Sequence, residues 1–468
     1  MSGQKHVVVL GGGPGGYSAG IYLAHLGAKV TLIEKQYLGG TCLNVGCIPT
    51  KAFVEAANNY AMIQDCKTYG LKLTGQVEVD GKKLQKFKSG IVKQLCGGVA
   101  YLLEKAGATV INGVGRLTGP KTVEATLADG TVQTFEADDI ILATGSSEIN
   151  LPGLEPDGTY ILNSTQMLEM RALPESIAII GGGVIGVEFA SIFSRFGKKV
   201  TIVELTSGLL PLEDHDVSAE LREDLENSGV EILTETRAKE VVSRGPEGVV
   251  LALENQDGQV QELTVEKVLV CVGRRANLEG IGLEEAGVTY NKKYIPTDAH
   301  MQTNVPGIYA VGDITASPQL AHVAYHESRV AASCIMGKPE EADYHAVPAC
   351  TFSHPEVAHV GLTEQEARKL YPELKIVKEG FSGNGKAMIH QENYGFVKML
   401  YDGATGKLVG CSIIGPKATE LIAEPTLAVQ LGIDMETFSH TINAHPSLSE
   451  MIGETAAAAV GFRLHSAE

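Results

Sequence analysis

Two stretches of this chain repeat each other. The first, "HVVVLGGGPGGYSAGIYLAHLGAKVTLIEK", starts at His6, and the second, "SIAIIGGGVIGVEFASIFSRFGKKVTIVEL", starts at Ser176. Each is a β-branched apolar run, then Gly-x-Gly-x-x-Gly, then an amphipathic helix pattern, then a second apolar run ending in Glu. The glycines are Gly11, Gly13 and Gly16 in one copy and Gly181, Gly183 and Gly186 in the other. The acids are Glu34 and Glu204, each 23 residues after the first glycine of its copy. A glycine triplet alone is a weak signal. Here strand, triplet, helix and acid stand in register twice. The first Gly permits a tight turn, the second lets backbone approach a pyrophosphate, and the third lets helix and strand pack closely. A diphosphate then meets the helix N-terminus, where free N–H groups and the dipole favour an anion. The acid suits a ribose 2′-hydroxyl. Two dinucleotides are therefore expected. Glu204 would repel a 2′-phosphate, and "ELTSGLLP" supplies no Arg or Lys to receive one, so NAD is favoured over NADP.

At 468 residues the chain exceeds one ordinary core of about 100–200 residues. Its net charge of −18 argues against a nucleic-acid surface and against an anionic membrane. Runs such as "DIILATG" are short and broken by Gly, so no membrane span is expected. The opening "MSGQKHVVVLGGG" enters a strand at once, leaving no room for a leader, and a cytoplasmic location is the default expectation.

Beyond the repeats, "VEKVLVCVGRR" parallels "ADDIILATGSS": each reads as a buried strand ending in Gly, Gly273 and Gly145. A third such strand, "IYAVGDI", runs into Gly312-Asp313, where the acid could accept from sugar-like hydroxyls. Between Glu231 and Gly273 short strands with hairpin cues are expected. After about Val347 the texture changes to α+β. "LYDGATGKLVGCSIIGP" reads as a hairpin, and "ATELIAEPTLAVQLGI" as a helix interrupted by Pro425. The tail "NAHPSLSEMIGE" sets His445 five residues before Glu450. Spacing alone leaves open whether these form a surface pair or a catalytic one.

Eight cysteines in this length make no disulfide framework. Only Cys42 and Cys47, in "GGTCLNVGCIPTK", are close in sequence. The spacing suits neither a zinc half-site, which needs a partner cluster, nor a Cys-x-x-Cys motif. The pair lies just past Glu34. Pro49 fits a first helical turn, which would put Cys47 near a helix N-terminus and favour its thiolate. That position favours a redox-active pair over two buried thiols.

"GGTCLNVGCIPTK" resembles the redox-disulfide signature of the flavoprotein pyridine nucleotide-disulfide oxidoreductases. "GGGPGG", "ATGSS", "GGGVIGVE", "VGRR", "VGDI" and "HPSLSE" follow in that family's order, and the likeness covers essentially the whole chain. It is closest to the class I branch that oxidises dihydrolipoamide. The resemblance implies an α/β fold of two Rossmann-like domains, the second inserted in the first, plus a C-terminal α+β dimerisation domain. The expected divisions are 1–150 with 275–345 for FAD, 151–274 for NAD and 346–468 for dimerisation. FAD is implied at the first glycine unit with Glu34, Lys51, Thr144, Gly145, Asp313 and Ala321. NAD is implied at the second with Glu188, Glu204 and Gly273. Cys42 would exchange disulfides with substrate while Cys47 faces the flavin, and His445, oriented by Glu450, would be the base. In this family that His serves the disulfide of the other subunit, so a homodimer is implied. The implied partners are lipoyl domains of 2-oxoacid dehydrogenase complexes, with the glycine cleavage complex as a further candidate.

The chain departs from that branch at Asn443, where a His is usual, at Thr50 for the commoner Ser, at "GNGK", and after Leu320-Ala321-His322. Glutathione- and trypanothione-type enzymes want an Arg for the NADP phosphate. Mercuric and large thioredoxin reductases carry a C-terminal redox pair that "GFRLHSAE" lacks. A flavin-bearing scaffold with a decayed site should have lost Cys42, Cys47, His445 or Glu450, and all four stand.

Overall fold

The computed structural model describes residues 4–465. Its first sheet forms around His6–Leu10, where Val7, Val8 and Val9 are fully buried. A strand buried on both faces is what a parallel sheet covered by helices requires. Each such Val contributes about 1.5–3 kcal/mol relative to an exposed one. The strand order is Ile308–Ala310, Asp139–Leu142, His6–Leu10, Lys29–Glu34 and Thr109–Gly119. Neighbours in that set pair parallel. The last strand then turns into an antiparallel meander with Thr122–Leu127 and Val132–Glu136.

The second sheet repeats the arrangement as Ile161–Leu162, Lys267–Val270, Ser176–Ile180, Lys199–Val203 and Val230–Leu233, all parallel. The internal repeat thus extends from one βαβ unit to a whole five-stranded order. A three-stranded antiparallel sheet, Thr236–Gly245, Gly248–Asn255 and Val260–Val265, follows as the hairpin cues suggested. The chain leaves the first unit through Ser146–Glu148 and returns through Arg274–Ala276, which pair antiparallel with each other.

Residues beyond Val347 form a five-stranded antiparallel sheet ordered Ala349–Thr351, Glu356–Gly361, Leu408–Gly415, Phe396–Asp402 and Leu374–Gly380. The expected hairpin is its Phe396–Asp402/Leu408–Gly415 pair. The expected helix interruption is present: one helix ends at Leu421 and the next starts at Ala423, with Pro425 inside its first turn. There the missing N–H is an orphan anyway, while the ring would collide with the carbonyl of Leu421 had the first helix continued.

A buried cluster joins the units, bringing Phe53 and Ala57 together with Phe189, Phe193, Val357, Phe396 and Ile414. No helix among the described residues is long and apolar enough to cross a membrane.

Candidate active site

The two glycine turns are built alike. Gly11 (φ +103°) and Gly181 (φ +114°) take the left-handed region that favours glycine. A Cβ on Gly16 would lie 1.8 Å from the Gly11 carbonyl oxygen, and one on Gly186 would lie 1.9 Å from that of Gly181. The third glycine of each triplet is therefore a packing requirement. Gly13 and Gly183 instead have no neighbour closer than 3.8 Å at that position, which leaves room for a ligand at each helix start. Glu34 Oε2 accepts from Gly12 N and Glu204 Oε2 from Gly182 N, both at 2.6 Å. Each acid thus braces its own glycine turn, a role that the spacing did not announce.

The carboxyl ends of three adjacent parallel strands, at Leu10, Leu142 and Ala310, open toward one edge. Ligands of open α/β sheets bind outside such strand ends. Thr144-Gly145 and Gly312-Asp313 follow two of them. Ser146 Oγ donates to Asp313 Oδ2 at 2.5 Å, and Thr144 Oγ1 donates to the Asn277 carbonyl at 2.8 Å. Ala321 opens the helix Ala321–Ile335. In the second unit Gly273 (φ +119°) follows the strand that ends at Val270. The open Gly13 and Gly183 positions, the bare helix N-termini and the free strand ends fit a dinucleotide in each unit.

Cys42 lies in the short helix Gly40–Asn44, and Cys47 is the first residue of the helix Cys47–Gln64. Gly39 (φ +89°) and Gly40 (φ +55°) make the tight path into it. Cys42 and Cys47 both stand as free cysteines. Interaction with Cys47, then burial, pushes the Cys42 thiol far up. Interaction with Cys42 pulls Cys47 below the usual thiol range against burial, with the Lys51 charge assisting. A helix N-terminus favours a thiolate at Cys47 too.

Lys51, one helical turn from Cys47, places Nζ 2.7 and 2.8 Å from the two oxygens of Glu188. Glu188 is buried on the second unit's helix and also accepts from Phe352 N at 3.0 Å. Lys51 Nζ lies 4.5 Å from the Phe352 ring centroid. One ion pair thus ties the redox helix to the second nucleotide unit and the C-terminal unit. The motifs pointed to Lys51 and Glu188 separately. Phe352 had no signal at all, since its contribution is a backbone N–H and a ring face.

His445 Nδ1 and Glu450 Oε1 are 2.8 Å apart, and Glu450 Oε2 accepts from Ser447 N at 2.7 Å. Partial burial works to raise the Glu450 carboxyl, but the donated bonds prevail and hold it below its usual range. With Nδ1 so engaged, Nε2 is the nitrogen left for chemistry. The His445 side chain is 79% exposed, and no hydrogen bond among the described residues joins it to Cys42 or Cys47 of its own chain. Asn443 packs against Gly453.

Residues 5–328 match the pyridine nucleotide-disulphide oxidoreductases, and residues 347–456 match the dimerisation domain of the same proteins. The chain belongs to the pyridine nucleotide-disulphide oxidoreductase family. A dihydrolipoyl dehydrogenase of Bacillus subtilis is 40% identical over 461 residues, covering 98% of this chain and 100% of the relative. A dihydrolipoyl dehydrogenase of Thermus scotoductus is 40% identical over 454 residues, covering 97% and 96%. Among solved structures, LpdA from Mycobacterium tuberculosis superposes with a TM-score of 0.90 at 29% identity, covering 97% of this chain and 99% of that one. The flavoprotein disulfide reductase RclA from Escherichia coli, solved as a Cu(II) complex, gives 0.86 at 26% identity, covering 97% and 99%. As a member of this oxidoreductase family the protein is a flavoprotein with FAD and NAD as its cofactors.

Proposed function

We propose that this oxidoreductase is a dihydrolipoyl dehydrogenase acting on lipoyl domains of 2-oxoacid dehydrogenase complexes, or of the glycine cleavage complex, as a homodimer. The observation that carries the reading is the placement of the cysteine pair: Cys47 opens its helix one turn from Lys51, which is ion-paired to Glu188, and Cys42 stands in the short helix before it. Full-length identity to dihydrolipoyl dehydrogenases supports it.

In the oxidised protein the sulfurs form a disulfide. His445 Nε2 of one subunit takes a thiol proton from the dithiol at the other subunit's disulfide, because the thiolate is the species that attacks. Glu450, fixed by Ser447 N, holds the imidazole tautomer and balances the imidazolium. The substrate thiolate bonds to Cys42 and breaks the Cys42–Cys47 bond, and Cys47 leaves as the thiolate that its site stabilises. The second substrate thiol closes the lipoyl disulfide and releases Cys42. The chemistry supplied by bound FAD is acceptance of this electron pair and hydride donation to NAD⁺.

For the cofactors we assign Gly11, Gly13, Gly16, Glu34, Thr144, Gly145, Asp313 and Ala321 to FAD, with Lys51 near it. Gly181, Gly183, Gly186, Glu188, Glu204 and Gly273 serve NAD. The divisions 1–150 with 275–345, 151–274 and 346–468 are supported by the paired crossings at Ser146–Glu148 and Arg274–Ala276.

The test is turnover of dihydrolipoamide with NAD⁺ by the purified yellow protein, run beside glutathione disulfide with NADPH. Reduction of NAD⁺ is expected. Activity in the second assay alone would refute the assignment.

A further inference from the structure

Two consecutive glycines stand just before Cys42, so the backbone is freest where a sulfur must be held still. Gly39 and Gly40 both take the left-handed region, and glycine gives up more conformational freedom on folding than any other residue. The Asn44 side chain spans the pair. Its Nδ2 donates to the Leu38 carbonyl at 2.9 Å and to the Gly40 carbonyl at 3.0 Å. The loop closed in this way, from Leu38 to Asn44, contains Cys42. Two carbonyls at one end of the amide leave a single orientation for it. Its Oδ1 then accepts from the Cys96 thiol at 3.3 Å, and Cys96 stands on the long helix Gly81–Ala106.

The same loop rests on the first nucleotide turn. Gly39 N donates to the Gly12 carbonyl at 2.8 Å, and a Cβ on Gly40 would lie 2.6 Å from Gly13 Cα. The loop is therefore held directly by the turn assigned to FAD and, through Asn44, by the helix Gly81–Ala106. The short helix Gly40–Asn44, which carries Cys42, takes its position from that loop. Cys47 belongs to the next helix, Cys47–Gln64, after Val45 and Gly46. Separate elements place the two sulfurs, so their meeting depends on how firmly each element is fixed.

We propose that Asn44 is a positioning residue for the redox pair: it locks the glycine loop and so fixes Cys42 relative to Cys47 and to the first nucleotide turn, with Cys96 as its outer tether. The proposal rests on the reading of the pair as a redox disulfide. Disulfide closure gains from each restriction that keeps two sulfurs facing each other, because their effective concentration rises. Asn44 acts through the backbone on both sides of Cys42.

Three variants of the flavin-loaded protein test this. Asn44→Ala removes all three bonds. Asn44→Asp keeps the size and the oxygen that faces Cys96 but loses both donated bonds. Cys96→Ala removes the tether alone. The first readout is the equilibrium of the Cys42–Cys47 disulfide with glutathione, followed by alkylation and peptide mass spectrometry. Asn44→Ala and Asn44→Asp should each make the disulfide about tenfold easier to reduce, and Cys96→Ala roughly threefold. The second readout compares dithiol turnover with NADH oxidation by ferricyanide, which draws electrons from reduced flavin without the sulfurs. Both Asn44 variants should lose about tenfold in dithiol turnover, mainly in kcat, and keep ferricyanide turnover within roughly twofold. An unmoved glutathione equilibrium overturns the proposal. So does a parallel loss of both turnovers, or a Cys96→Ala effect larger than that of Asn44→Ala. The glutathione equilibrium does not depend on the lipoyl substrate. A shifted equilibrium in a protein that never oxidises dihydrolipoamide would therefore reject the functional assignment and leave the Asn44 lock standing.

Discussion

His354 shows how far one side chain can be taken from its solution behaviour by the closing of two units over it. Its backbone N–H donates to Ser191 Oγ of the second nucleotide unit at 2.9 Å, and its Nε2 lies 2.8 Å from the Tyr394 hydroxyl. Burial, then the charges of Arg195 and Lys417, pushes the imidazole down to about 3. The folded protein therefore keeps it neutral where an unfolded chain protonates it below its ordinary value of 6.5. The unfolded state binds more protons between those two values, so stability rises with pH across that window. The contribution is complete above 6.5 and is lost as pH falls toward 3. By pH 5 the loss amounts to about 2 kcal/mol. Urea unfolding at pH 7 and pH 5 checks this. In His354→Gln the drop between the two pH values should be smaller than in the parent by about that amount, and an equal drop in both proteins would refute it. Nothing in "TFSHPEVAHV" marks this histidine, because its environment comes from Arg195 and Lys417, far away in the chain.

At the scale of the element, the glycine turns separate two functions that sequence treats as one motif. Gly186 is fixed by packing, since a Cβ there would sit 1.9 Å from the Gly181 carbonyl oxygen. Gly183 has nothing within 4 Å of that position, so its smallness serves a ligand rather than the fold. Gly183→Ala should keep the parent melting temperature while raising the KM for NAD⁺ roughly tenfold or more, because a methyl group displaces the pyrophosphate from the backbone N–H groups. Gly186→Ala should instead lower the melting temperature, with a loss on the order of 2–4 kcal/mol. Equal melting temperatures for the two variants would show that the triplet does not divide this way. Both turns, their strands and their acids were legible because each βαβ unit is a local object written in about 30 residues. The redox helix was legible for the same reason: Gly39-Gly40, Cys47 and Pro49 state their own backbone. The break before Pro425 was legible for a similar reason, since a proline inside a helical pattern ends the preceding helix upstream of itself.

Across the whole molecule, the contacts that complete the site are those that sequence spacing cannot express. Lys398 is almost fully buried in the C-terminal sheet, yet its Nζ lies 2.7 to 3.1 Å from Glu364, Asp216 and Asp214, and the two aspartates belong to the second nucleotide unit. That clamp and the Lys51–Glu188 pair hold three units in one arrangement, and neither could be read from residues so far apart in the chain. His445 extends the point beyond a single chain. Its ring is exposed, its orienting acid is in place, and its own chain's sulfurs are not its hydrogen-bond partners. If the partner subunit's His445 serves each disulfide, two dead proteins should make one live site. A Cys47→Ser subunit paired with a His445→Gln subunit leaves one site with both defects and one with neither. Random reassortment of equal amounts makes about half of all dimers mixed, each with one working site, so roughly a quarter of wild-type dithiol turnover should return. Each variant alone should fall by about 10²-fold or more in that assay. Activity recovered after unfolding and joint refolding, and absent when the two proteins are refolded separately, is the expected outcome. No recovery from mixed dimers that are shown to form would place the base and the disulfide in the same chain and reject the shared site.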